Sequence, residues 1–196
     1  MLRMSKNIRI LACQLNPVVG DIRGNLALAK GALAEGKRLA ADLVVLSELF
    51  ILGYPAEDLV LKPSAVDLSM QAIHELARET ADGLDVLIGS PWMDGDKRHN
   101  SAVWLSGGKV AGRYDKRELP NYGVFDEKRI FDAGTGAPPL FEVKGVKLGV
   151  AICEDIWFPR VPGALHEAGA DMLIVPNGSP WRRTVQVERH TTFSAW

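Results

Sequence analysis

The sequence of 196 residues is 47% apolar and 24% charged, an ordinary globular composition that argues against disorder and supplies one sizeable core rather than two domains. Its 23 basic and 24 acidic residues leave a formal net charge of −1, so nothing electrostatic points to nucleic acid or an anionic membrane as partner. No apolar run reaches membrane length and residues 1–7 have no apolar signal core behind them, so a cytoplasmic protein is expected.

Residues 8–15 (IRILACQL) predict a first strand, closed by Asn16–Pro17 and Gly20–Asp21. Cys13 falls inside it and reads as a packed thiol. Asn25 is the expected cap of a helix running to about Ala41, with Leu26, Ala29, Leu33, Gly36 and Ala40 on one face. DLVVLSEL, from Asp42, is the nearly continuous apolar run of a strand buried on both faces, and Glu48 stands at its carboxyl end. Residues 50–63 (FILGYPAEDLVLKP) read as an apolar loop that covers something, and residues 64–81 as a helix with Val66, Met70, Ile73 and Ala77 inward. LDVLI at 84–88 is the next buried strand, leaving through Gly89–Ser90–Pro91. Strand, helix, strand, helix, strand is the order of a mostly parallel sheet with covering helices.

The pattern then changes. Residues 100–105 and 109–114 predict a hairpin across Ser106–Gly107–Gly108. SGGK is not a phosphate loop, since such a loop joins a strand to a helix and here strand pattern stands on both sides. A second hairpin, 140–143 turning at Lys144–Gly145, leads into VKLGVAI, whose alternation marks a strand ending at Cys153. A helix over 160–168, a strand over 171–175 and a basic helical tail from Arg182 complete the reading.

Glu48, Lys116 and Cys153 each stand at or near the end of a strand-like segment, and together they supply a base, a cation and a nucleophile. Each also has a plainer reading: a capping carboxylate, a solvated lysine, a packed thiol. A free thiol is only about 3% ionised at pH 7. The adjacent Glu154 and Asp155 are expected to raise its pKa, so activation falls to Lys116 as the charge and Glu48 as the base. A Cys–His pair is the alternative, drawn from His74, His99, His166 and His190, none of which is well placed in the sequence. The two cysteines form no CxxC or metal-type spacing, and no disulfide is expected.

Glu48 in LSELFILGYP, Lys116 in YDKRELPNYGVFDE and Cys153 in VAICEDIWFP resemble the glutamate–lysine–cysteine triad of the nitrilase, or carbon–nitrogen hydrolase, superfamily. QLNPVVGDIRGN, ELFILGYPAEDL, NSAVW with KRELPNYGVFDEKRIF, and CEDIW are similar to one branch, the N-terminal glutamine amidase domains of glutamine-dependent NAD synthetases. The likeness runs from about Ile8 to Arg189. It implies an α/β fold of the nitrilase type, an α-β-β-α sandwich of two sheets between helices, and hydrolysis of the glutamine side-chain amide through a Cys153 thioester. Glu48 is then the general base, Lys116 a stabiliser of the oxyanion, and Glu127 the additional glutamate that holds Lys116. Tyr122 and Ser179 would bind glutamine and Trp157 would form an aromatic wall. The resemblance further implies homo-oligomers and no cofactor for the amidase step, since ATP and magnesium serve the synthetase domain, which is expected to be absent from this single, incomplete domain of residues 1–196. Two departures stand out: Val185 occupies a place where the branch tends to carry a basic residue, near Arg182 and Arg183, and the chain reads as truncated before the last strands. A stand-alone amidase for another small amide and an inactive truncated chain are the competing expectations.

Overall fold

A computed structural model describes residues 7–179, 183 and 185–193. The chain begins with β1 (Ile10–Ala12), α1 (Ile22–Arg38) and β2 (Leu43–Val45), passes through a 3-10 segment at Glu57–Leu61, and continues as α2 (Pro63–Arg78), β3 (Asp85–Asp94), β4 (Lys97–Ser106) and β5 (Lys109–Asp115). After the short α3 (Glu127–Ile130) come β6 (Leu140–Val143), β7 (Val146–Val150), a 3-10 turn at Cys153–Trp157, α4 (Arg160–Glu167), β8 (Met172–Ile174) and α5 (Val185–Phe193).

The strands form two sheets. One has the order β1-β2-β3-β4-β5, parallel from β1 to β3 and antiparallel beyond; the other is β6-β7-β8, antiparallel then parallel. Ala29, Ala32 and Leu33 of α1 and Ile73, Leu76 and Ala77 of α2 pack on Val44, Val86, Ile88, Val103 and Leu105, one face of the larger sheet. Leu43, Leu87, Ala102 and Trp104 on its other face meet Val146, Leu148 and Val150 of the smaller sheet, with Val161 and Leu165 of α4 in the same cluster. The Trp104 and Phe141 rings stack at 4.6 Å and 4° across the two sheets. The opposite face of β7 carries Gly149, where an added Cβ would lie 3.0 Å from both Leu165 and Leu173, so α4 sits closely against it. The layers are therefore helix, sheet, sheet, helix, the expected α-β-β-α sandwich.

Three two-residue turns explain much of this register. Gly95–Asp96, Gly107–Gly108 and Lys144–Gly145 join β3 to β4, β4 to β5 and β6 to β7, and five of those six residues, all but Asp96, adopt positive φ. SGGK is thus a hairpin turn.

Several expectations need correction. Asp21, not Asn25, caps α1, its side chain accepting from the Gly24 N–H at 2.9 Å, a bond worth about 1 kcal/mol. Asn25 lies in the first turn, buried, its amide tying the Val18 backbone and the Ile51 carbonyl. Gly89–Ser90–Pro91 does not end β3, which runs on to Asp94 because β4 pairs with it along its whole length. Cys13 lies beyond β1 and is only half-buried, at the edge of a cleft. β7 stops at Val150, three residues short of Cys153.

The apolar loop after β2 covers what the sequence leaves unspecified. Leu49, Leu52, Ala56 and Val60 pack with Ala65 and Val66 of α2 and with Leu119, Ile130 and Phe131. Each of the leucine, valine, isoleucine and phenylalanine side chains among them contributes about 1.5–3 kcal/mol on burial. The consequence is positional: the segment carrying Glu127 is clamped over the end of β5. Among the described residues, no helix is long and apolar enough to cross a membrane.

Candidate active site

Glu48 is placed by backbone. Beyond β2 the chain keeps pairing with β3, through Leu46 N–H to Leu87 O at 2.9 Å and Gly89 N–H to Ser47 O at 3.2 Å. Gly89 permits this, because a Cβ there would lie 2.2 Å from Leu49 N and 2.4 Å from Ser47 O. The carboxylate that results is fully enclosed. Its Oε1 accepts from Lys116 Nζ at 2.7 Å and from Asn100 Nδ2 at 2.9 Å, and its Oε2 accepts from the Gly178 N–H at 2.8 Å.

Lys116 follows β5, its N–H held by Asn100 O and its carbonyl by the Gly134 N–H, both at 2.8 Å. Its side chain is 0% exposed, and Nζ also donates to Glu127 Oε1 and Oε2 at 2.9 and 2.8 Å. A buried lysine between two carboxylates keeps its proton: burial alone would lower its pKa, but Glu48 and Glu127 outweigh that and raise it. Glu127 is raised in turn by burial, with Lys116 opposing. Tyr54 adds a third contact to this carboxylate, its hydroxyl donating to Oε1 at 3.1 Å.

Cys153 opens the 3-10 turn rather than closing a strand. Its N–H donates to Pro176 O at 3.0 Å, extending the β7–β8 pairing, and its φ is +46°. That left-handed conformation costs a residue with a Cβ about 1–2 kcal/mol. It turns the thiol back over the rim, 3.3 Å from Ser179 Oγ and 4% exposed.

The thiol's electrostatics differ from expectation. Burial and then Glu48 push it up to about 12, with Lys116 and the Ser179 contact opposing and Glu127 adding to the rise. Glu154 and Asp155 are not the main cause, because both are engaged elsewhere. Asp155 accepts from Tyr114 Oη, Ile152 N, Arg117 N and Glu118 N at 2.8–3.1 Å. Glu154 accepts from Tyr122 Oη at 3.0 Å. A thiol held that high is protonated at neutral pH. Attack then needs a base that takes the proton, and Glu48 is the carboxylate whose charge the thiol feels most.

A cleft of about 770 Å³ opens onto Glu48, Tyr54, Gly178, Ser179 and Val185. Ser179 therefore bridges cleft and thiol. Tyr122, 58% exposed, lies in a second hollow of about 470 Å³ with Arg117, Lys128, Glu154 and Phe158, apart from the cleft that holds Glu48 and Ser179. Trp157 ends the 3-10 turn half-buried and lines neither hollow. Val185 is buried against the first cleft; Arg183 is exposed and does not line it, and Arg182 lies outside the described residues. The histidines are elsewhere: His74 stacks near Trp92, and His99, expected in a turn, is buried in β4 with Nδ1 2.8 Å from Asp132 O. Sequence reasoning missed Tyr54, Asn100 and Gly178. Only Tyr54 and Asn100 left a signal, both standing inside blocks quoted for the resemblance.

An α-β-β-α sandwich with glutamate, lysine and cysteine gathered at one rim is the architecture of a hydrolase. The carbon–nitrogen hydrolase family model matches residues 9–193, and the chain belongs to that family. It is 45% identical over 180 residues to a glutamine-dependent NAD(+) synthetase of Rhodobacter capsulatus, a match covering 92% of this chain and 32% of the relative. It is similar in structure to the glutamine-dependent NAD+ synthetase of Acinetobacter baumannii, solved with adenosine diphosphate (TM-score 0.87, 36% identity, 94% of this chain and 35% of that one). It is also similar to a mutant of the Nesterenkonia sp. AN1 amidase that shows Michael addition of acrylamide at its active site cysteine (TM-score 0.80, 27% identity, 92% and 70% covered). The chain spans about a third of the length of the synthetases it matches.

Proposed function

We propose that this chain is a glutamine amidase unit that releases ammonia from the glutamine side chain for a synthetase partner making NAD. The observation that carries the reading is the enclosed Glu48–Lys116–Glu127 chain beside Cys153, in a protein whose relatives at 45% and 39% identity are glutamine-dependent NAD(+) synthetases.

In this mechanism the Cys153 Sγ attacks the amide carbon as its proton passes to Glu48. The carbonyl oxygen becomes an oxyanion, stabilised by the Lys116 ammonium and by backbone N–H groups. Cys153's own N–H is committed to Pro176 O, so the Glu154 N–H is the donor assigned here. The proton on Glu48 goes to the leaving nitrogen, ammonia departs, and a glutamyl thioester remains. Glu48 then takes a proton from water, which attacks the thioester carbon, and passes that proton to the Cys153 sulfur as the carbon–sulfur bond breaks and glutamate is freed. Glu127 holds Lys116 in place. Ser179 binds glutamine in the first cleft and Tyr122 reaches it from the second hollow, while Trp157, which lines neither, has no part in binding. ATP and magnesium serve the partner's amidation step. A reducing cytoplasm suits a site that depends on a free thiol, and residues 1–196 act as one amidase unit in a homo-oligomer.

A second reading, an amidase acting on another small amide, is drawn from Val185, which lines the cleft as an apolar side chain, although Arg189 lines the same cleft and could meet a carboxylate. The test is kcat/KM for glutamine beside acetamide, propionamide and butyramide. Preference for glutamine supports the first reading, and preference for an aliphatic amide supports the second.

A further inference from the structure

The base and the nucleophile of the proposed reaction leave one question of atoms: which oxygen of Glu48 takes the proton. A carboxylate oxygen has two lone pairs. Both on Oε1 are used, by Lys116 Nζ at 2.7 Å and Asn100 Nδ2 at 2.9 Å. Among the described residues Oε2 has one donor, the Gly178 N–H at 2.8 Å, which leaves it one lone pair. Gly178 directly precedes Ser179, whose Oγ is 3.3 Å from Sγ, so Oε2 is the oxygen tethered to the segment after β8 that also carries the thiol's contact.

Asn100 is the residue that makes this asymmetry. It is fully buried on β4, its backbone carbonyl holds the Lys116 N–H at 2.8 Å, and its side chain holds Glu48, so one residue ties both groups to the same point of the sheet. Among the described residues its Oδ1, also buried, has no hydrogen-bond partner. Burying an amide with one polar atom unpaired lowers stability, so folding alone does not account for it.

We infer that Asn100 is a positioning residue which, with Lys116, saturates Oε1 of Glu48 and so directs the proton of the Cys153 thiol to Oε2. The step is a transfer from Sγ to Oε2 as the Sγ–carbon bond forms, with the carbon–nitrogen electron pair leaving later. Asn100 touches no reacting atom. It acts by leaving Glu48 a single open acceptor, on the oxygen that the Gly178 N–H also holds.

This rests on the reading of Cys153 as nucleophile and Glu48 as base, but not on glutamine being the substrate. The groups facing Glu48 are Lys116, Asn100, Gly178, Tyr54 and Cys153, with Glu127 behind Lys116. In Asn100→Ala, Oε1 gains an open lone pair and the carboxylate loses a donor, which favours its protonated form. In Asn100→Asp the shape is kept, but a second carboxylate replaces the donor.

The experiment measures iodoacetamide alkylation of Cys153 against pH, by peptide mass spectrometry, in the wild type and both variants, beside melting temperature and glutamine kinetics. The expected result is alkylation about tenfold slower at pH 7 in Asn100→Ala and slower again in Asn100→Asp. The acidic limb of the profile moves to higher pH in the same order, and kcat falls while KM stays within about twofold. An unmoved pH profile in both variants, or losses that only follow the folded fraction, overturns the inference. Alkylation that responds in a protein releasing no glutamate upholds the inference and overturns glutamine as substrate.

Discussion

Lys116 Nζ sits 2.7 Å from Glu48 Oε1 with both side chains sealed from solvent, and the same nitrogen reaches both oxygens of Glu127. One cation thus serves two carboxylates, and removing it leaves two buried acids facing each other. Breaking a buried ion pair from one side costs about 3–5 kcal/mol. Lys116→Met should lose that much in urea unfolding and all measurable amidase activity. Adding Glu127→Gln should recover part of the stability and none of the activity, because the repulsion is relieved while the cation is still missing.

The folded state should weaken in alkali. Cys153 is raised to about 12, and Tyr54, Tyr114 and Lys116 are also raised. Each holds its proton in the folded chain at pH values where the unfolded chain has released it. The unfolded state therefore binds fewer protons, and stability falls with pH by up to about 1.4 kcal/mol per unit per group. The thiol's part begins near pH ~8.5 and is lost by about 12, while the tyrosines and lysine enter above about 10. Urea midpoints from pH 7 to 10.5 should decline, and Cys153→Ala should remove the part that begins first.

Gly89→Ala tests how Glu48 is placed. Its new Cβ would press on Leu49 N and Ser47 O, backbone atoms that have no room to turn aside. The expected cost is about 1–3 kcal/mol in stability. The activity loss should be larger, about a hundredfold, since a shift of ~1 Å at the base is enough. Thermal melting and kcat measured together check this, and equal small losses in both would contradict it.

How much of this was readable beforehand follows a physical division. Glu48, Lys116 and Cys153 were found from strand-end position and chemistry, Glu127 from resemblance, and both hairpins from their glycine turns. The loop of residues 50–63 was readable as a cover because its apolar content exceeds what a solvated connection tolerates. The cap of α1 was misplaced since Asp21 and Asn25 are both capping residue types, and only the buried carbonyl of Ile51 decides that Asn25 goes inward. The length of β3 was missed because Gly89–Ser90–Pro91 has turn chemistry, which pairing with β4 overrides. Asn100 and Gly178 act through contacts 52 and 130 residues away in sequence, a distance no local pattern encodes.

Tyr122→Phe tests substrate binding separately from chemistry. The hydroxyl it removes is shared with Glu154, beside the nucleophile. A hydrogen bond to a charged group contributes about 1.5–3 kcal/mol, so KM for glutamine should rise about tenfold or more with kcat little changed. Saturation kinetics distinguish this from a fall in kcat alone, which would remove Tyr122 from the binding site.

The central claim is that Cys153 carries the acyl group while ammonia leaves. Acid quenching during glutamine turnover, followed by peptide mass spectrometry, tests it most directly. The account predicts a glutamyl increment on the peptide containing Cys153, absent in Cys153→Ala and from the Cys13 peptide. Glutamate release that persists in Cys153→Ala, or an acyl group found on another residue, would contradict it.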